Sequence, residues 1–221
     1  MSSKVRVWDL PTRIFHWALV AFVVASAITG YIGGSVMVWH FRSGYAVFSL
    51  LLFRILWGLV GGRWSRFASF IYSPTSLINY LRGQGRPEHS VGHSPLGAGS
   101  VFALLGFLSA QVATGLFSDD EIAFAGPLTR FVSNATVSQA TSYHKQIGQW
   151  VLIALVLLHV LAILFYLWKK KNNLIKPMIL GDKLLATPVP SSRDDTWSRV
   201  AAAVLFGLCA ALVAWLVALG G

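Results

Sequence analysis

Cysteine is nearly absent from this chain. Cys209 is the only one in 221 residues, which excludes an intramolecular disulfide, a thiolate metal cluster and a paired-cysteine attachment site. Acids are scarce too, eight against eighteen Lys and Arg, and charged residues of either sign make up only 12%. Beside 55% hydrophobic residues and a mean hydropathy of +0.63, so low a charged fraction excludes a soluble domain of this size. Phosphate-binding glycine loops, zinc-protease motifs, nucleophile triads and internal repeats are also missing from the sequence. What the chain has in quantity is long apolar runs.

About twenty mostly apolar residues cross the hydrocarbon core as a helix, and five stretches qualify, roughly 13–33, 41–61, 97–118, 145–168 and 198–219. All five are expected to be helical, because backbone groups cannot go unpaired in lipid. The expected class is an all-α integral membrane protein, a single membrane domain spanning residues 1–221. The net charge of +10 is not a nucleic-acid footprint, because the basic residues gather in alternate connections. Lys4, Arg6 and Arg13 precede the first span, Arg63, Arg66, Arg82 and Arg86 follow the second, and Lys169 to Lys171, Lys176, Lys183 and Arg193 follow the fourth. The intervening connections carry essentially Arg42 and Arg130, the latter in a loop with Asp119, Asp120 and Glu121. The positive-inside rule then puts the N-terminus in the cytoplasm and the C-terminus outside. Ala25-Ser26-Ala27 resembles a signal cleavage site, but the apolar run continues to Ile32 and cleavage would remove His16, Trp8 and Trp17. The first span is expected to stay.

Four of the six histidines lie in or at the ends of these runs: His16, His40, His144 and His159. With helix directions set by topology, His16 falls near the cytoplasmic side, while His40 and His144 each begin an inward-going helix at the outer side. His159 follows His144 by fifteen residues, roughly 22 Å further in and about 60° around the axis. Depth therefore pairs His40 with His144 and His16 with His159. Haem iron takes two axial nitrogens on opposite faces of a planar ring, and an antiparallel bundle supplies one from each of two facing helices. Any one of these histidines alone reads as a packing or interfacial residue. Four at two matched depths read as ligands, since ionisable groups in spans are costly and usually functional.

Other residues fit with less force. Arg54 lies fourteen positions after His40, about 40° off the same face; it either meets an anionic partner, such as a haem propionate or a quinone oxygen, or snorkels to the interface. Gly30, Gly44, Gly115 and Gly148 permit close approach of a flat ring or of another helix. His89 and His93 fall in the Gly- and Pro-rich segment 83–95 and are expected in a loop, where their spacing does not suit metal. Ser73 and Pro74 would start a short amphipathic helix over 77–81. The acidic stretch 119–121 is either a docking surface for a basic partner or a solvated loop.

The sequence resembles the prokaryotic di-haem cytochrome b561 family, in particular the branch of the cytochrome b subunits of nickel–iron hydrogenases. The matching stretches begin with Val7-Trp8-Asp9-Leu10-Pro11-Thr12-Arg13-Ile14-Phe15-His16-Trp17. They continue with His40, Gly44-Tyr45, Phe53-Arg54-Ile55-Leu56-Trp57-Gly58-Leu59-Val60-Gly61, Arg66-Phe67 and Ser73-Pro74. Gly92-His93-Ser94-Pro95-Leu96-Gly97, His144, His159-Val160, Asn173-Leu174 and the Met178, Gly181, Lys183 spacing complete them, about residues 5–185 in all. Ser94 stands where the family often has asparagine, and the last span lies outside the common core. The resemblance implies a four-helix bundle holding two b haems and a place in the bacterial inner membrane, to which the apolar run 198–219 adds a fifth C-terminal helix. It makes His16, His40, His144 and His159 the axial ligands, with Arg13 and Arg54 beside the cofactors. It implies electron transfer between the quinone pool and an outer partner, a periplasmic cytochrome c or a hydrogenase-type iron–sulfur subunit. Relatives in the wider family imply a second reading, an autonomous superoxide:quinone oxidoreductase, for which Arg42, Arg130 and Lys145 are candidates for a basic funnel although the neighbouring acids argue against it; a haem-free proton or metal transporter is a third.

Overall fold

A computed structural model describes residues 3–86, 89 and 91–220. Five helices among the described residues are long and apolar enough to cross a membrane: Leu10–Ile32, Gly34–Val60, Pro95–Leu116, Asn134–Trp168 and Thr196–Ala218. By backbone geometry they comprise α1 (Leu10–Ile32), α2 (Met37–Val60), α4 (Pro95–Leu116), α6 (Gln149–Trp168) and α8 (Thr196–Ala218). Three shorter helices lie between them, α3 (Pro74–Leu81), α5 (Asn134–Ser142) and α7 (Ile175–Leu180). The second membrane helix is the most enclosed, with half of its apolar window buried against 17% or less in the others.

The helix starts follow from side-chain caps, which satisfy backbone donors that have no partner within the helix. Asp9 accepts from the Thr12 amide at 2.9 Å at the head of α1. Ser73 accepts from Ser76 at 3.2 Å before α3, where Pro74 occupies a first-turn position, as the sequence suggested. Ser94 caps α4 through Gly97, and Asp195 caps α8 through Ser198.

The chain divides into two compact units. One comprises the chain through Phe15, Arg54–Ala103 and Leu157–Val204. It contains an element that the all-helical expectation omitted, an antiparallel ribbon of β1 (Ser3–Arg6) and β2 (Asp182–Leu185). The four-residue strands carry no apolar run long enough to be read from sequence, and they pair only because segments some 180 residues apart in sequence meet. Val5, Val7, Trp8, Val91 and Leu185 form the core beneath. Arg6 bridges Asp182 at 2.6 Å and Asp194 at 2.8 Å, and Asp194 also takes Arg199 and the Leu10 amide. These bonds tie the start of α8 to the start of α1.

Burial alone would raise the Asp194 carboxyl, but the hydrogen bonds from Arg199 and Leu10 and the charges of Arg199 and Arg6 outweigh it and hold the group below its ordinary 3.8. A depressed carboxylate contributes stability above its unfolded value and loses that contribution as pH falls through the folded value. The difference in melting temperature between the parent and Asp194→Asn is therefore expected to be largest near neutral pH and to shrink below about pH 4. A pH-independent difference in thermal melts would exclude this linkage.

The other unit comprises His16–Phe53, Leu104–Val156 and the chain from Leu205 onward. Here α8 packs on α2: Phe53 meets Phe206 edge-on at 6.1 Å, with Val47, Leu50, Leu51, Cys209 and Val213 buried around them. Ala46, Ser49, Ala210 and Ala214 line the neighbouring groove, where small side chains let the two helices approach. In the connection after α4, the Asp120 carboxylate accepts three backbone amides, from Ile122, Ala123 and Phe124. Those amides hold its carboxyl below the usual range, so the middle acid of the 119–121 stretch builds the loop.

The fourth membrane helix starts at Asn134, about ten residues earlier than its apolar run. Residues 134–142 are polar and show no apolar periodicity, so hydrophobicity alone does not reveal them as helix. Between α5 and α6 the backbone widens into a π turn, Tyr143–Gly148.

Candidate functional site

His40 lies in the first turn of α2 and His144 in the π turn that leads into α6. Their rings stand perpendicular, at 90°, with centroids 6.0 Å apart. Each Nδ1 lies 2.8 Å from a backbone carbonyl, Ser26 O for His40 and Gln111 O for His144. A carbonyl only accepts, so both Nδ1 atoms carry the proton and both Nε2 atoms keep a free lone pair. Imidazoles that ligate metals are oriented by a bond of this kind. The pair can therefore hold haem iron.

His159, on α6, has its Nδ1 3.4 Å from the Ser100 hydroxyl of α4; a hydroxyl both donates and accepts, so this contact orients the ring without fixing its tautomer. The π turn inserts one residue between His144 and His159, so their offset around the helix becomes about 40° rather than about 60°. His16 lies on α1 with its ring edge-on to Trp17 at 5.0 Å.

Arg54 is buried, 3% exposed, and does not snorkel. Its guanidinium lies over the Phe67 ring at 4.7 Å, and Nη1 is buried with no hydrogen-bond partner among the described residues. Gly58, one turn further along α2, lets Phe67 lie against that helix, because a Cβ there would run into the ring. An arginine so placed can bind an oxygen anion or a carbonyl. Arg13 donates from Nη1 to the Ile179 carbonyl at 2.7 Å, which ties α1 to α7, while its Nε is buried with no hydrogen-bond partner among the described residues.

The glycines divide into different roles. Gly30 and Gly115 accommodate the two imidazoles themselves, since a Cβ would fall 2.7 Å from His40 Nδ1 and 2.8 Å from His144 Cε1. Gly148 makes way for the Gln111 side chain, and a Cβ at Gly44 would meet nothing within 4 Å. Gly44 is thus the position where a flat ring has room, one turn after His40.

His89 and His93 belong to packing. His89 is buried between the Tyr72 and Tyr80 rings, with Nδ1 accepting from the Arg86 amide at 3.2 Å. His93 lies against Phe70 and Trp8 at 4.3 and 4.7 Å. Pro87, Glu88 and Ser90 of the same segment lie outside the described residues. Of the cations considered for a basic funnel, Arg42 covers Trp39 and Arg130 reaches the Leu219 carbonyl.

Sequence reasoning missed Asp9 as a functional element. It is fully buried and accepts from the Thr12 and Gly62 amides, Ser65 Oγ and Trp57 Nε1. Its charge also acts on Arg54. A signal was present, an aspartate followed two residues later by proline at the head of an apolar run, which marks a helix N-cap. Ser26, Ser100 and Gln111 had no such mark.

Comparison with known proteins agrees with this architecture. The family model for prokaryotic cytochrome b561 matches residues 7–181. A probable Ni/Fe-hydrogenase B-type cytochrome subunit of Rhizobium leguminosarum bv. viciae is 23% identical over 218 residues, covering 82% of this chain and 90% of its own. The probable Ni/Fe-hydrogenase 1 B-type cytochrome subunit of Escherichia coli K12 is 26% identical, covering 79% and 88%. A probable Ni/Fe-hydrogenase B-type cytochrome subunit of Azotobacter vinelandii is 25% identical, covering 86% and 92%. No solved structure matches. The match over most of the chain, on a multi-pass helical framework, shows that the protein belongs to the prokaryotic cytochrome b561 family of membrane b-type cytochromes.

Proposed function

We propose that this protein is a di-haem cytochrome b that carries electrons across the bacterial inner membrane between the quinone pool and an outer redox partner, with its N-terminus in the cytoplasm. The partner class is a hydrogenase-type iron–sulfur subunit, in keeping with the names of the relatives, or a periplasmic cytochrome c. The observation that carries the reading is the His40–His144 pair: perpendicular rings 6.0 Å apart, each with Nδ1 engaged by a carbonyl. His16 and His159 are assigned to the second haem by their matched depth in the sequence.

Bound haem supplies reversible one-electron chemistry, and the chain supplies the rest. His40 and His144 present Nε2 lone pairs, with tautomers fixed by Ser26 and Gln111. Arg54 offers a buried, unspent hydrogen-bond donor to a propionate or to a quinone oxygen. Apolar helix surfaces keep water from the interior, where a fixed charge acts at low dielectric and shifts the balance between oxidation states.

Purification in detergent, followed by oxidised and dithionite-reduced spectra with a haem-per-chain assay, tests the reading. Two b haems are expected, and a functional haem-free protein would overturn it. Arg54→Gln removes a buried positive charge that favours the reduced form, so the midpoint potential of one haem is expected to fall while haem content holds. Unchanged potentials for both haems would remove Arg54 from the cofactor environment.

A further inference from the structure

His40 and His144 stand on different helices, yet neighbouring helices hold them by the same device. On α1 the segment is Ser26-Ala27-Ile28-Thr29-Gly30, and on α4 it is Gln111-Val112-Ala113-Thr114-Gly115. The first residue of each uses its backbone carbonyl to accept the imidazole Nδ1–H, at 2.8 Å in both. Its side chain returns a hydrogen bond to the carbonyl of the same histidine, from Ser26 Oγ at 3.3 Å and from Gln111 Nε2 at 2.9 Å. The fourth residue is threonine in each, donating to the carbonyl four positions back, at 2.6 Å from Thr29 and 2.8 Å from Thr114. Its hydroxyl also approaches the carbonyl that takes the imidazole, at 3.3 and 3.0 Å. The fifth is glycine in each, and there the ring occupies the place of a side chain. The segments share only Thr-Gly at their ends, so no repeat is visible in sequence.

Gln111 carries the extra task of the π turn. A π turn breaks the ordinary pattern of helix hydrogen bonds and leaves carbonyls to be satisfied from outside. The His144 carbonyl lies in that turn, and Gln111 Nε2 satisfies it while the Gln111 main chain holds the ring. Serine suffices at His40, which sits in the first turn of a regular helix.

We infer that Ser26/Thr29/Gly30 and Gln111/Thr114/Gly115 are a matched pair of cradles that set both the orientation and the donor strength of the two axial ligands of one haem. This rests on the reading that His40 and His144 ligate the same iron. Donor strength enters through the shared carbonyl. The single threonine proton is shared between two carbonyls, at 2.6 and 3.3 Å for Thr29 and at 2.8 and 3.0 Å for Thr114; to the extent that it reaches the second, that oxygen offers less to the imidazole N–H, and a weaker N–H···O bond makes the ring a poorer electron donor to the metal. Removing the hydroxyl strengthens that bond, enriches the ligand and favours ferric iron. The threonines are positioning residues.

The test uses the purified holoprotein and the variants Thr29→Val, Thr114→Val and their combination, read by potentiometric titration of the haem absorption bands and by low-temperature EPR. Both single variants are expected to lower the midpoint potential and shift the ferric EPR signal of the same haem. The double variant should lower it further, the other haem should stay at its parent value, and Thr→Ser at either position should restore the parent potential. The cradle is overturned if fully loaded variants shift different haems, or leave both potentials and both signals where they were. Should valine at either position prevent accumulation of folded protein, Thr29→Ala and Thr114→Ala carry the test by the same criterion. A parent without two haems refutes the functional reading instead, so the two failures are distinguishable.

Discussion

Replacing His144 by alanine is expected to lower the haem content from two per chain to one and to leave the spectrum and potential of the remaining haem near the parent's. The ring removed is held at Nδ1 by Gln111, flanked by Thr114 and accommodated by Gly115. None of these can replace it as a nitrogen donor to iron. The alanine variant keeps the Gln111–His144 main-chain contact, because that bond runs from Gln111 Nε2 to the backbone carbonyl, so the helix turn is expected to survive. Exogenous imidazole should then enter the space left by the ring and restore the missing absorption. His40→Ala should remove the same haem, and His159→Ala the other. If His144→Ala retains two haems with parent spectra, the axial assignment fails. If His40→Ala and His144→Ala remove different haems, the pairing fails.

The second large effect concerns stability. Asp9→Ala is expected to destabilise the protein by at least about 3 kcal/mol, seen as a fall in melting temperature of the detergent-solubilised protein. The side chain is fully buried and serves four donors on three segments: the first turn of α1, the end of α2 and the turn after it. The Thr12 hydroxyl extends the network by donating to Ser65, which donates onward to Asp9. Alanine strands every one of these donors and leaves Arg54 without the negative charge that acts on it. Buried donors without partners and an uncompensated buried charge are among the few single changes that cost this much. Asp9→Asn separates the two contributions. It preserves volume and one acceptor while removing the charge, so it should fall between the parent and alanine. An alanine variant that melts within a degree or two of the parent would remove Asp9 from its structural role.

Much of the framework was legible in sequence because a bilayer imposes simple rules. Helices must be about twenty apolar residues long, and ionisable groups inside them need a reason to be there. Five runs and four histidines could therefore be read directly. The polar helix over Asn134–Ser142 escaped notice because its stability comes from its place in the fold and not from an apolar stripe. Arg54 shows a different limit: composition offered burial beside an anion or snorkelling on equal terms, and only the position of Phe67 against Gly58 decided for burial. Arg13, placed by resemblance beside a cofactor, has its Nη1 bonded to the main chain at Ile179.

Sequence by itself determined the solvent, the number of apolar spans and the histidines that fall within or beside them, because hydrophobic length and residue chemistry are local properties. Tertiary structure alone decided how those residues are held. The carbonyls of Ser26 and Gln111 are no different as main-chain atoms from any others, and they fix histidine tautomers only because glycine four positions later brings the neighbouring ring within 2.8 Å. The ribbon that joins Ser3–Arg6 to Asp182–Leu185, and the π turn at His144, likewise depend on which segments meet. Hydrogen bonds need partners at a distance and an angle, and chain order does not encode those until the helices pack.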